Sequence, residues 1–439
     1  MRILIALALS LVVAPALAEE GGARVLTLQA ALGAARENNP NLRSAVALRD
    51  ASEARQDKAR ASLLPSLVGT AAYTRTTSNF VPRPGQLPTG PSGGSVNPGY
   101  NSTLYNTFNF GATASIVVFD FGVIDRFRSS KEARRGFEER TRAAVLSADY
   151  AVRNAFFGAR AQKSLIGVAH ETVANNERHL VQTQAFVEVG TRPEIDLLQV
   201  RTDLANSRVT LLQNENAYAV ARVNLQLAMG VEGGVDFEVA DEQLGPVPKE
   251  EESLDQLLHE AFATRPDMKA LERDLRVNQL NEGALSGGYA PNLTASSSIT
   301  RAGIELSDLR TNWNVGVAAN WPLFSGLATR SDMQEARANQ RNNEAQIALL
   351  RQNVRLQVEQ SRLGVRAALA VREAAGEALA NAQGRLKLAE GRYEAGVGNA
   401  IELGDAQVAQ TQAESQSVAA QYSLSVARAQ LLNALGRSQ

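Results

Sequence analysis

The chain carries one layout twice. Leu28, Leu32, Pro40, Pro65 and Leu67 recur as Leu254, Leu258, Pro266, Pro291 and Leu293, each pair 226 residues apart. Gly190, Ile195 and Gly230 recur as Gly396, Ile401 and Gly436, each pair 206 apart. Matches at two consistent offsets identify a duplication, so the chain is expected to build one unit twice. The first copy carries about 20 extra residues, placed in Asn79 to Thr103, where five Pro and five Gly predict a loop. Copies at 19–230 and 253–439 are joined by 231–252, whose Gly233-Gly234, Pro246, Pro248 and Glu250-Glu251-Glu252 predict a linker.

Each copy reads as short helices, two strands, a very long helix, a turn and another long helix. From Phe108 to Val118, apolar Phe108, Phe110, Ala112, Ala114, Ile116 and Val118 alternate with Asn109, Gly111, Thr113 and Ser115, with Val117 the exception. In the second copy Trp313, Val315, Val317, Ala319, Trp321 and Leu323 alternate with Asn314, Gly316, Ala318 and Asn320. Strands are expected at about 66–78, 105–121, 292–303 and 311–324. Such alternation also suits a half-buried sheet in a soluble domain. Both tryptophans, Trp313 and Trp321, lie on the apolar face, and eight residues span about 26 Å of strand. That is the scale of an outer-membrane band edged by an aromatic girdle.

Residues 123–189 contain no proline and would extend for about 100 Å as a helix. Helices are expected there and at 193–229, 327–395 and 399–435. Positions 145, 148, 152, 155, 159, 162, 166, 169, 173, 176, 180, 183 and 187 form a heptad seam, mostly of small apolar residues. The seam suits an antiparallel coiled coil and the wall of a helical tube equally. The fold class is therefore mostly α with membrane β. The smallest membrane barrels use about eight strands, more than one chain of this pattern supplies, and open sheet edges are not tolerated in lipid. The strands must close with those of other copies.

Arg2, the apolar run Ile3 to Val13 and Ala16-Leu17-Ala18 before Glu19-Glu20 predict a signal peptide over 1–18. Lys and Arg number 45 against 46 Asp and Glu, which leaves no basic face for nucleic acid. Cysteine is absent, so no disulfide, thiolate nucleophile or lipidated cysteine is expected. His170, His179 and His259 are too scattered for a metal centre. No catalytic, cofactor or metal site is expected.

The turn between long helices reads Val189-Gly190-Thr191-Arg192-Pro193-Glu194-Ile195-Asp196 in the first copy. In the second it reads Ala395-Gly396-Val397-Gly398-Asn399-Ala400-Ile401-Glu402. With the Leu64-Pro65 and Ala290-Pro291 strand entries, and Phe119-Asp120-Phe121-Gly122 and Phe324-Ser325-Gly326 at strand exits, the chain resembles the TolC family of outer-membrane efflux channels over residues 24–437. The resemblance implies a homotrimer with one shared barrel in outer-membrane lipid and a helical tunnel in the periplasm. It implies partnership with a periplasmic adaptor and an inner-membrane RND, ABC or MFS transporter, in efflux or type I secretion. It places a periplasmic gate at Asp196, Glu402 and Asp405. Adaptor docking is expected at Val189, Gly190, Thr191, Arg192, Ala395, Gly396, Val397 and Gly398. The same acids also suit plain first-turn positions, where the helix dipole favours them. Some family members carry an arginine where this chain has Gly398, and here Arg192 stands in the first turn instead. The competing reading is a periplasmic coiled-coil adaptor or structural protein, which would lack duplicated strand pairs with a lipid-suited face.

Overall fold

The computed structural model describes residues 24–78 and 103–438. The expected leader and nearly all of the Pro- and Gly-rich stretch lie outside the described residues. In chain order the elements are β1 (Arg24–Leu26), α1 (Leu28–Asn38), α2 (Pro40–Ala61), β2 (Ser66–Ser78), β3 (Thr103–Phe119), α3 (Phe121–Glu188) and α4 (Glu194–Met229). They continue as β4 (Phe237–Val239), α5 (Leu254–Thr264), α6 (Pro266–Ser286), β5 (Asn292–Gly303), β6 (Arg310–Asn320), α7 (Ala328–Glu394) and α8 (Ala400–Ala434). Among the described residues, no helix is long and apolar enough to cross a membrane.

The chain divides into two compact units, each gathered from separated stretches. One comprises Arg43–Ala144 and Ala261–Leu356 and holds the sheet. The other comprises the residues up to Leu42, then Val145–Glu260 and Gln357–Gln439. The helices α3 and α7, of 68 and 67 residues, run from one unit into the other.

The sheet is antiparallel with order β2-β3-β5-β6, so the two hairpins lie side by side and β2 and β6 form its edges. Directly opposed residues share a face in an antiparallel sheet. The rows Gly69–Ala112–Ile299–Trp313 and Leu67–Ala114–Ser297–Val315 therefore belong to one face. Thr70–Gly111–Thr300–Asn312 and Val68–Thr113–Ser298–Asn314 belong to the other. Between Val117 and Phe119 the register with β5 slips by one residue. Val117 keeps the register of the residues before it, opposite Thr294 on the polar face, and the slip sets Phe119 opposite Leu293 on the apolar face. It is the physical reason that Phe119 lies on the apolar face although strict alternation would put it on the polar one.

Two strand ends differ from expectation. β6 stops at Asn320, short of 324, so Trp321 and Leu323 lie beyond it. Pro322 has no N–H to donate to a ladder. β3 stops at Phe119 instead of 121, because Asp120 starts the next helix by accepting the Val123 N–H at 3.2 Å.

In the other unit, none of the thirteen seam positions of α3 is exposed. Its core packs Leu26, Ala31, Ala35, Val152, Phe156 and Phe157 against Tyr218, Leu225, Met229 and Val239. The stretch between the copies is ordered by specific contacts. β4 pairs in parallel with β1, and the Val239 N–H donates to the Tyr218 hydroxyl at 3.2 Å. Lys163 pairs with Glu238 at 2.7 Å. The buried Arg428 guanidinium holds the Glu250 carboxylate at 2.8 Å and the Leu244 carbonyl at 3.0 Å.

Candidate functional site

Two turns close the long helix pairs, and both are built alike. Gly190 and Gly396 take left-handed backbone angles, φ 77° and 75°, after α3 and α7. Glycine adopts this region without strain. The Thr191 N–H then donates to the Phe186 carbonyl at 2.9 Å, and the Val397 N–H to the Arg392 carbonyl at 3.1 Å. These bonds satisfy carbonyls that the helix ends leave unpaired. Beyond the second turn, the Asn399 side chain caps α8 by accepting the Glu402 N–H at 2.7 Å.

The two turns touch through residues that are equivalent in the repeat. Arg192 donates to the Gly398 carbonyl at 2.9 Å, and the two positions stand 206 residues apart, which is the repeat offset. The Arg192 guanidinium also lies 4.7 Å over the Tyr393 ring. Tyr393 is buried among Leu386, Ala389, Leu403 and Ala406, with Phe186 edge-on at 6.1 Å and the Thr183 hydroxyl 3.3 Å from its own. A side chain at Gly398 would meet the Tyr393 nitrogen at 3.0 Å, so any larger residue would have to push the end of α7 aside by a few tenths of an ångström. On α3, eleven residues before Gly190, the His179 Nδ1 is buried with no hydrogen-bond partner among the described residues. Burial pushes the His179 pKa below its ordinary value, against the opposing pull of Glu390 and Glu394 on α7.

The sheet presents a second surface. Trp313 is 76% exposed, and Val315, Val317, Leu67 and Ile299 are exposed beside it on the same face. The opposite face carries Ser and Thr hydroxyls, Asn amides and bare Gly backbone, and there the Ser298 hydroxyl donates to the Asn314 side-chain oxygen at 3.0 Å. A sheet that is apolar on one uncovered face and polar on the other matches the wall of a membrane barrel.

The sequence profile described as outer membrane efflux protein matches residues 31–231 and 257–437, one stretch in each repeat. The chain belongs to the outer membrane efflux protein family. The toluene efflux pump outer membrane protein TtgF of Pseudomonas putida is 25% identical over 419 residues, covering 92% of this chain and 82% of its own. The probable outer membrane lipoprotein SilC of Salmonella typhimurium is 24% identical over 339 residues, covering 72% and 70%. The fold is that of the Campylobacter jejuni CmeC outer membrane channel, with a TM-score of 0.80 at 16% identity over 93% of this chain and 85% of that one.

As an outer membrane efflux protein the chain works in passage across the outer membrane. Val189, Thr191, Ala395 and Val397 are exposed at the turns, and so are the equivalent Ile195 and Ile401, at 71% and 73%. Arg192 is half-buried against the second turn, and Gly398 is buried beneath it. Asp196 is half-buried in the first turn of α4. Glu402 pairs with Arg392 at 3.2 Å. Asp405 is exposed and has no ion pair among the described residues. Trp321 spends its indole N–H on the Tyr289 carbonyl at 3.0 Å. No group of three or more His, Cys, Asp or Glu among the described residues could hold a metal ion.

Proposed function

We propose that the chain is the exit duct of a tripartite efflux system and works as a homotrimer. The observation that carries this reading is the four-stranded sheet, with one apolar exposed face and two open edges. Lipid offers no partner to the unpaired backbone groups of β2 and β6. Pairing β2 of one copy with β6 of the next satisfies them and closes a barrel.

The helix α4 supports the same assembly. Leu204, Ser207, Tyr218, Leu225 and Met229 form a seam buried within the chain. Val209, Leu212, Val220, Val223 and Leu227 form a second seam that is exposed, at 52–76%. The second seam lies five residues on from the first, about 140° round the helix at about 100° per residue. A helix with two such seams has a neighbour on each side, as in the wall of a tube. The second neighbour belongs to another copy.

In this reading the paired turns meet a periplasmic adaptor, which delivers substrates from an inner-membrane transporter of the RND, ABC or MFS type. The exposed Val189, Ile195, Val397 and Ile401 give the adaptor an apolar surface, while Arg192 holds the two turns together. Asp405, with Asp196 and the Arg392-paired Glu402, lines the narrow entrance. Export follows removal of residues 1–18. Attachment of lipid to a cysteine plays no part, since the sequence has no cysteine.

The absence of cysteine also makes the test clean. Single cysteines placed along the β2 and β6 edges, in pairs at varied register, should form disulfides only between chains. Oxidation should yield dimers and closed trimers on denaturing gels, and light scattering in detergent should give three chains. A monomer that stays soluble without detergent, with no crosslinked pair at any register, overturns the proposal.

A further inference from the structure

The end of the sheet remote from the helices carries charge that its apolar face cannot satisfy. Arg301 lies in the row Ala71–Phe110–Arg301–Thr311, on the same face as Trp313. Arg75 stands opposite Asn106 further out on that face. Both arginines are exposed, and neither has a carboxylate at ion-pair distance among the described residues. The nearest aromatic groups are Phe110 beside Arg301 and the Tyr73–Phe108 pair, whose centroids are 4.9 Å apart.

The sequence supplies little to neutralise them. From Ser66 to Phe119 the only charged residues are Arg75 and Arg83, with no acid at all. The connection between β5 and β6 adds Glu305 and Asp308, and Asp308 already lies 4.0 Å from Arg310, the first residue of β6. The Glu305 carboxylate accepts from the Ser307 hydroxyl at 3.3 Å. This end is therefore net positive.

Depth decides what the arginines meet. Thr311, level with Arg301, is ten residues from Trp321, which is about 34 Å along a strand and about 26 Å vertically at a tilt of about 40°. An outer-membrane apolar band is about 25 Å tall, so Arg301 stands at its far edge, where an arginine costs little. Headgroup phosphates lie at that level, and the planar guanidinium matches a phosphate with paired hydrogen bonds.

We infer that Arg301 and Arg75 form a binding surface for phosphorylated lipid headgroups in the leaflet farthest from the helices. The inference rests on the membrane placement of the sheet proposed above. Phe110, level with Arg301, and Trp313, one row inward, face the acyl chains, the Tyr73–Phe108 pair lies between the two arginines, and the arginines hold the phosphates.

The two tryptophans provide the assay, because Trp313 is one row inward of Arg301 and Trp321→Phe leaves it as the sole reporter. The full-length W321F protein is reconstituted in vesicles, and Trp313 fluorescence is quenched with brominated-chain phosphatidic acid or brominated-chain phosphatidylcholine. Phosphatidic acid should be preferred by about fivefold per arginine at low salt. The preference should fade with added salt, vanish in W321F/R75Q/R301Q, and persist in W321F/R301K. Equal quenching by the two lipids in W321F would overturn the inference while leaving the sheet in the bilayer. No quenching by either lipid would overturn the membrane placement itself, and the inference with it.

Discussion

Replacing Arg192 with alanine should loosen the second turn, 206 residues away in sequence. The substitution removes a charged donor from the Gly398 carbonyl at 2.9 Å and a guanidinium from the Tyr393 face at 4.7 Å. A hydrogen bond from a charged group contributes about 1.5 kcal/mol at the lower end, which suits a half-exposed donor. The ring contact adds about 0.5–1 kcal/mol. The sum of about 2 kcal/mol corresponds to about a 30-fold rise in the local opening constant. Native-state hydrogen exchange reads this directly, because the Val397 and Gly398 amides both donate to the Arg392 carbonyl and exchange only when the turn opens. Protection at these two amides should fall by about 30-fold in R192A. It should fall less in R192K, which keeps the charge and loses the planar stacking group. Protection within twofold of wild type in R192A would show that each turn holds itself and that Arg192 is only a surface charge.

Three further outcomes follow from the same geometry. Asp405→Ala should reduce cation selectivity in single-channel recordings more than Glu402→Ala, because Arg392 already compensates Glu402 at 3.2 Å; equal effects would contradict the pairing. The pKa of His179 is lowered on folding, so the unfolded chain binds more protons; stability is full above the ordinary histidine value and falls as pH drops through it. Exchange protection near His179 should therefore weaken on acidification towards pH 5, and His179→Gln should abolish that dependence. Glu250→Gln leaves Arg428 buried opposite a neutral partner and should cost about 3 kcal/mol, read as a lower denaturation midpoint; an unchanged midpoint would show that water reaches the guanidinium.

Much of this architecture was legible because it is periodic. Alternation located β3 and β6, and proline-free stretches located α3 and α7, since a repeated signal survives local exceptions such as Val117. What escaped the sequence is aperiodic. β1 and β4 are three residues each, too short for any period, and their pairing depends on a partner more than 200 residues away. The bulge at Val118 left as its trace only an apolar Phe119 where the alternation calls for the polar face. Within the turns, glycine positions were readable from their backbone demands. The direction of the Arg192 side chain was not, because exposure and a carbonyl partner in the other repeat look the same in sequence. The repeat offset did hold the clue, since it aligns Arg192 with the one residue whose carbonyl it meets. The exposed seam of α4 was hidden in plain composition, where two interleaved heptads blur into a generally apolar helix.

The pairing of β1 with β4 also sets an order of events. Arg24–Leu26 leaves the ribosome early, yet its partner Phe237–Val239 follows only after the first repeat is complete. The same unit needs residues from Gln357 onward as its third segment. Closing loops of this length is slow, and the native contacts that reward closure arrive last. The unit that contains β1 is therefore completed only after residues from Gln357 onward have been made. Until then the residues that will form its core have no partners to bury them, and the strand edges that pair late stay open to mispairing.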